Sequence, residues 1–413
     1  MIPFPLALEP TYGKLIAYIV FLLIGFSFGY VLESSGFNKS TLLAAQFYFK
    51  DLRVFKVFFT AIVVAMLLIF SAAAMGLLDY NLIWVNPTYL WSGIVGGLIM
   101  GVGFILGGFC PGTSLVALAT FKIDGILFVL GGLVGVFIFG ETEQQITYFF
   151  NGSYFGRLTL MDVFNLPTGI VVVLVTLMAL FMLWGGEQLE KKIGGKAPNS
   201  EPKARYFGAV ILIVVAAVIA LAGQPTSEDR WNLIAPVKQP ELDARAYQIH
   251  PAELLHNFHE HKLNLILLDV RAESDYNIFH IMDSRNLTIE QLPPLISEFH
   301  LEPANTLFVV ISNDETDSTA AWKYLVAESV PNVYILEGGI NDWLDIFATE
   351  FEEEFCAGKK DIYEDEELQF QFTAALGASC PAAYPAEDNF EDLEYTPKIK
   401  MELKRAPTGG GCG

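Results

Sequence analysis

A chain of 413 residues, 53% of them hydrophobic and only 17% charged, carries more apolar surface than one water-soluble core can bury, so a membrane protein is the first expectation. A net charge of −21 argues against nucleic-acid binding, because phosphate contacts need a basic surface. The charge is unevenly placed: residues 1–223 hold 12 Lys and Arg against 11 Asp and Glu, whereas residues 224–413 hold 13 against 35. The composition therefore predicts a near-neutral membrane half followed by an acidic, solvated half with no specific partner written into it.

Six apolar segments are long enough, or nearly so, to cross a hydrocarbon core of roughly 30 Å, near residues 12–33, 54–78, 90–109, 124–140, 168–184 and 206–223. The first lacks the basic lead and small-residue ending of a cleaved signal. Between the first and second lies 38–53, and between the third and fourth lies 111–123, both too short to span. Such pieces are tolerated at depth as re-entrant helices only where they line a protein-walled cavity. Basic residues set the orientation. Lys39, Lys50, Arg53, Lys56, Lys122, Lys191, Lys192, Lys196, Lys203 and Arg205 fall on one side if the segments alternate, against Lys14 and Arg157 on the other. This bias places the N-terminus outside, the basic loops in the cytoplasm, and everything after Gly223 outside.

A shift of 72 positions superposes two stretches of the membrane half. Gly25 falls on Gly97, Gly29 on Gly101, Gly36 on Gly108 and Phe37 on Phe109; Thr41, Leu43, Ala45, Phe49 and Lys50 fall on Thr113, Leu115, Ala117, Phe121 and Lys122. The glycine pairs are four apart, which puts small residues on one helix face. The expected unit is a glycine-faced helix, a short helix and a second long helix, present twice. The copies differ at one chemically important place: Cys110 stands opposite Asn38, and Pro111 opposite Lys39. Proline suits the first turn of a helix, so Cys110 falls where a helix begins, beside unpaired N–H groups and the positive end of its dipole, a setting that favours anions. A small residue buried in a packing loop is the plainer reading of the same cysteine.

The run Gly107-Gly108-Phe109-Cys110-Pro111-Gly112-Thr113, inside duplicated glycine-rich membrane units, resembles the YeeE/YedE family of sulfur-compound transporters over roughly residues 10–145. The resemblance implies that Cys110 contacts a sulfur anion through an S–H or thiolate hydrogen bond, with Pro111, Gly112 and Thr113 shaping the pocket and Asn38 standing where a second thiol would be. Larger members of the family carry more helices and several membrane cysteines, so a complete pathway here calls for a homo-oligomer or other membrane-complex subunits. Glu33, at the end of the first segment, is a candidate for the same site.

Residues 224–242, with Gln224-Pro225-Thr226 and Ala235-Pro236, read as a linker. An α/β alternation follows, with buried strands at 265–270, 307–312 and 333–336 and helices at 251–259, 289–299, 316–328 and 340–347, a pattern that argues for a parallel sheet covered on both faces. Leu268-Asp269-Val270-Arg271, His280-Ile281 nine residues on, and the run from Asn332 to Trp343 resemble the rhodanese-like domain over residues 243–350. The resemblance implies that Asp269 and Arg271 order the fold and that a loop after the central strand cradles a cysteine persulfide in backbone N–H groups. Here Ser312 occupies the cysteine position, and Asp314, Glu315 and Asp317 crowd a turn that should receive an anion. A hydroxyl carries no sulfane sulfur, so no catalytic residue and no turnover are expected: the fold is kept as a docking or folding module.

Residues 351–413 form an acidic extension ending in a glycine-rich cysteine tail. An outside location permits a Cys356–Cys380 disulfide and leaves Cys412, on its glycine arm, either a mobile sulfur carrier or a frayed end. The histidines at 250, 256, 259 and 261 cluster in sequence, and a helix would put His256 and His259 on one face, but no metal or cofactor is expected. The fold class is thus an α-helical polytopic membrane domain with an internal repeat (residues 1–223), about six spanning segments plus short re-entrant helices, followed by an α/β rhodanese-like soluble domain. The functional reading is transport or trafficking of a thiosulfate-like anion across a bacterial-type inner membrane, in contact with membrane lipids and with the soluble domain extracytoplasmic. The alternative is a non-catalytic accessory subunit of a larger membrane complex.

Overall fold

The computed structural model describes residues 4–6, 8–193, 204–258, 263–348, 359–360, 364, 366–387, 390 and 393–401. They form two units, residues 3–224 and residues 225–408, each with its own hydrophobic core.

The first unit is helical: α1 (Leu8–Tyr12), α2 (Lys14–Ser34), α3 (Ser40–Ala45), α4 (Arg53–Ala74), α5 (Leu90–Gly107), α6 (Pro111–Ala119), α7 (Ile123–Phe150), α8 (Leu160–Phe164), α9 (Thr168–Ile193) and α10 (Ala204–Ala222). Six helical spans are long and apolar enough to cross a membrane, at the six places expected from the sequence. Their outer faces are apolar, with Leu22, Phe26, Leu98, Ile99, Val136 and Phe181 all exposed, as lipid-facing helices require. This is a multi-pass membrane protein. Two cores hold the unit together. Val63, Leu67, Phe70, Val172, Ala179, Ala216 and Ile219 knit α4, α9 and α10. Leu32, Phe37, Leu43, Val54, Phe109 and Ala117 gather the ends of α2 and α5 with the short helices that follow them.

These two junctions share backbone features at positions 72 apart. Gly36 and Gly108 are both left-handed, with φ of 78° and 71°, and Phe49 and Phe121 both have φ 54°. Phe37 and Phe109 are both fully buried, at 0% and 1% exposure. The likeness stops within the short helices, where Leu43 is buried but Leu115 is exposed. The Phe109 ring meets Phe128 at 5.8 Å, and Phe128 stands about 8 Å along α7 from its first residue at 1.5 Å per residue.

The second unit contains α11 (Ser227–Asp243), β1 (Gln248–Ile249), α12 (Pro251–Phe258), β2 (Asn264–Asp269), α13 (Glu273–Ile278), β3 (Arg285–Asn286), α14 (Ile296–Phe299), β4 (Thr306–Ile311), α15 (Thr316–Ala327), β5 (Val333–Leu336) and α16 (Gly339–Phe347). The five strands are parallel in the order β1-β5-β4-β2-β3. Strand β4 lies at the centre and is buried along its whole length, so its continuous apolar run has a core on each face. The fold class is therefore the one read from the sequence.

Residues 224–242 are not a linker: most of them form α11. Thr226 caps this helix in a reciprocal box with Asp229. Trp231 meets Trp322 of α15 edge-on at 6.1 Å, and Ser227 and Arg230 both bond Glu328. Pro236 and Pro240 mark a break in local propensity, but Leu242, beyond both prolines, is buried in the same core as Trp322 and Leu325 of α15, so the helix is held on either side of the break. The acidic extension is likewise not separate from the domain. Leu368, Phe370, Cys380, Ala382 and Ala383 are buried in the sheet's core, the Trp343 indole donates to the Ala382 carbonyl (2.8 Å), and Lys398 Nζ donates to the Gln248 carbonyl (2.7 Å). Cys356 and Cys412 lie outside the described residues, as do His259 and His261.

Candidate functional site

Cys110 is the N-cap of α6, in extended geometry with φ −92° and ψ 165°. The Thr113 N–H donates to its Sγ (3.4 Å), the Cys110 N–H donates to Thr113 Oγ1 (3.0 Å), and Sγ and Oγ1 are 3.3 Å apart. This is a capping box in which sulfur replaces the usual oxygen. Pro111 has no N–H to satisfy and Sγ takes that of Thr113. The Gly112 N–H therefore has no acceptor within the helix, and a Cβ added at Gly112 would meet nothing within 4 Å beyond its own helix. Thr113 and Ser114 are buried, Cys110 half-buried and Pro111 exposed. The four residues expected to make the pocket thus form one helix start with a thiol, an N–H left without a helical acceptor, and room at Gly112.

Asn38 sits in the companion junction and is 6% exposed. Its Nδ2 donates to Glu33 Oε1 (3.5 Å), while its Oδ1 is buried with no hydrogen-bond partner among the described residues. A Cβ on Gly108 would lie 2.9 Å from the Ser40 carbonyl oxygen, so the turn carrying Asn38 and the turn carrying Cys110 are pressed together. The structure brings Glu33 to the same turn through its bond to Asn38.

In the second unit Ser312 ends the central strand, 2% exposed. Its Oγ donates to the Asp314 carbonyl (2.7 Å) and accepts from the Ser318 N–H (3.2 Å). The Asp314 carboxylate takes both the Thr316 N–H (2.8 Å) and the Thr316 hydroxyl (3.0 Å). Glu315 takes the Gly338 N–H (2.8 Å) and pairs with Arg245. The Thr316, Ser318 and Gly338 N–H groups are thus taken by the chain's own side chains.

Residues 35–238 match the family described as "Sulphur transport", and residues 250–346 match the "Rhodanese-like domain". This chain carries a sulphur-transport domain followed by a rhodanese-like domain. It is 27% identical over 229 residues to the "Thiosulfate transporter TsuA" of Spirochaeta thermophila, a match covering 51% of this chain and 65% of that relative's length. The chain thus spans less than two thirds of the curated relative. No solved structure matches it.

The rhodanese-like domain is ordered as the strand-end residues suggested. Arg271 forms a two-pronged ion pair with Asp269, both about fully buried, with Nη2 to Oδ2 at 2.7 Å. It also donates to the Phe279 carbonyl (2.7 Å) and to Asn313 Oδ1 (3.2 Å). One guanidinium therefore ties β2, the helix after it and the Ser312 loop. Within the sulphur-transport domain, two features escaped the sequence. Glu190, 2% exposed near the end of α9, pairs with Lys56 (2.8 Å) and accepts the Leu52 N–H (3.2 Å) at the start of α4; its place in the polar run from Glu187 to Lys192 gave no sign of burial, and Lys56 read only as a topology marker. Arg157, likewise read only as a topology marker, has a buried guanidinium edge.

Proposed function

We propose that the membrane unit passes a thiosulfate-like sulfur anion at the α6 helix start, with Cys110 as its sulfur contact. The observation that carries this reading is the sulfur-capped helix. Sγ sits on the axis end of α6 beside the Gly112 N–H, which has no acceptor within the helix, and beside room for a Cβ at Gly112, so a soft sulfur atom and a hydrogen-bond donor converge where an anion is electrostatically favoured. The sulphur-transport match and the name of the Spirochaeta relative agree with it. The two junctions, alike in the conformation of Gly36 and Gly108 and of Phe49 and Phe121, are read as two copies of one unit in which Asn38 replaces the second thiol. Its unsatisfied amide atom supplies a hard polar contact opposite the soft one.

The rhodanese-like unit is read as a non-catalytic accessory on the outer side, where the basic residues of the membrane half place it. Ser312 cannot hold sulfane sulfur, and the Asp314 and Glu315 carboxylates take the Thr316 and Gly338 N–H groups and set negative charge at the turn. Uptake of labelled thiosulfate into proteoliposomes tests the transport reading. The native protein should transport, and Cys110→Ala should lose nearly all uptake; undiminished uptake in that variant removes Cys110 from the mechanism. The full-length protein should show no sulfur transfer from thiosulfate to cyanide.

A second reading, an accessory subunit of a larger membrane complex, draws on the exposure of α2 and α5. Only Ala17 and Leu32 are buried in α2, and no residue is buried in α5. Stable co-purification with other membrane proteins together with absent uptake would favour it.

A further inference from the structure

Arg157 lies in the connection between α7 and α8. Its position is fixed by backbone pairing: the Thr88 N–H donates to the Gly156 carbonyl (2.8 Å), the Phe155 N–H donates to the Thr88 carbonyl (2.9 Å), and Tyr89 bridges Tyr154. Across from it, the α4–α5 connection brings up Tyr80, over whose ring the guanidinium sits at 5.5 Å. Tyr80 in turn packs against Phe70 at 5.2 Å. Arg157 Nε and Nη2 are both buried and have no hydrogen-bond partner among the described residues. Asp162, in the first turn of α8, acts on the same Tyr80 phenol, but its Oδ2 already accepts from Thr159 N (2.8 Å) and Thr159 Oγ1 (2.7 Å). Burial holds the Tyr80 phenol above its usual range, with Arg157 pulling the other way, so the phenol stays neutral and offers no counter-charge.

Nε and Nη2 form one edge of the guanidinium. Their N–H bonds run parallel, and this edge takes two oxygens of a single oxyanion side by side. Arg157 is half-buried as a residue, but a guanidinium edge buried without a partner is costly unless something fills it. We infer that Arg157 is a bidentate oxyanion site at the end of the membrane unit formed by the α4–α5 and α7–α8 connections, and that its occupant is a small tetrahedral sulfur oxyanion. The sulfur identity of that anion rests on the transport reading above; the existence of the site does not. The site and Cys110 lie at opposite ends of α5, whose 18 residues span about 27 Å. Arg157 therefore acts as a capture station separate from the thiol.

The test is equilibrium binding of labelled thiosulfate to full-length protein in phosphatidylcholine nanodiscs. Cys110→Ala should still bind thiosulfate. Arg157→Gln in that background should weaken binding at least tenfold, and Arg157→Lys, which keeps the charge but loses the fork, should fall between. Binding unchanged by Arg157→Gln overturns the proposal. Should the arginine variants fail to fold, the native chain gives the answer: thiosulfate, but not chloride, should slow phenylglyoxal labelling of Arg157 several-fold, and equal labelling overturns it. A lipid phosphate is the other source of the same chemistry. Phosphatidylglycerol raising the melting temperature of the native protein but not of Arg157→Gln, with no thiosulfate binding to Cys110→Ala, assigns the edge to lipid and overturns the sulfur oxyanion. The transport reading fails separately, on Cys110→Ala uptake, whatever the outcome here.

Discussion

Gly108 and Ser40 are in direct backbone contact, with room for no more than a hydrogen at the Gly108 Cα: a Cβ there would stand 2.9 Å from the Ser40 carbonyl oxygen. Gly108 also has φ 71°, so a side chain meets both a steric wall and an unfavourable backbone. Replacement by alanine should cost about 1–3 kcal/mol from the backbone alone, seen as a lowered melting temperature in detergent and reduced thiosulfate uptake. Gly112, whose added Cβ would meet nothing within 4 Å, is the control: Gly112→Ala should fold and melt like the native protein.

The capping box predicts a graded series at Thr113. Thr113→Val removes the hydroxyl that accepts the Cys110 N–H, while Thr113→Ser keeps it. The loss of a cap is worth about 1 kcal/mol. Uptake should fall in the valine variant more than its small stability change explains, because the helix start that orients Sγ loosens. Serine should preserve uptake; valine and serine behaving alike would separate the cap from the transport step.

In the rhodanese-like unit, Arg271→Met should destabilise strongly, by about 3–5 kcal/mol, since it strands the buried Asp269 carboxylate. Asp269→Leu combined with Arg271→Met should recover part of that loss. Thermal unfolding of the three variants measures it. An additive double variant would mean that the pair acts through its other bonds, to Phe279 and Asn313.

Asp342 carries a pH prediction. Its carboxyl is held above the usual carboxylate range, first by burial and then by Asp345, Glu337 and Glu315 nearby. A carboxyl whose folded pKa is raised binds more protons in the native state. It therefore costs stability as pH climbs from the unfolded pKa through the folded one. Asp342→Asn should raise the melting temperature at neutral pH, with the advantage shrinking to nothing as pH falls below the normal carboxylate range. An advantage independent of pH would point to packing instead.

The parts legible in the sequence are those with a long enough signal. Strands β2, β4 and β5 stood out as apolar runs, and six lipid-facing helices as apolar stretches. Strands β1 and β3 have two residues each, too few to show any period. Proline misled at α11, because a single-residue breaker is visible locally and the partner helix that overrides it is not. The helix start at Cys110 was readable from Pro111 alone, but that Sγ itself would be the cap was not. Nor was the unpaired edge of Arg157, since nothing in a lone arginine of an aromatic loop tells whether a carboxylate will fold against it.

The lacing of residues 368–401 through the rhodanese-like core has a consequence for how the protein is made. Phe370, Cys380 and Ala383 fill the same core as Ile249 and Leu307, and the Lys400 N–H reaches the Tyr334 hydroxyl on β5 (2.7 Å). Chains emerge from the ribosome N-terminus first, so the helices of the membrane unit are synthesised long before the segment that closes the last core. The rhodanese-like unit must wait, its sheet partly bare, until these residues have been made. Quality control by chaperones and proteases will therefore act on this protein while that segment is still awaited, and a nonsense mutation just before residue 368 will leave the core of the rhodanese-like unit open.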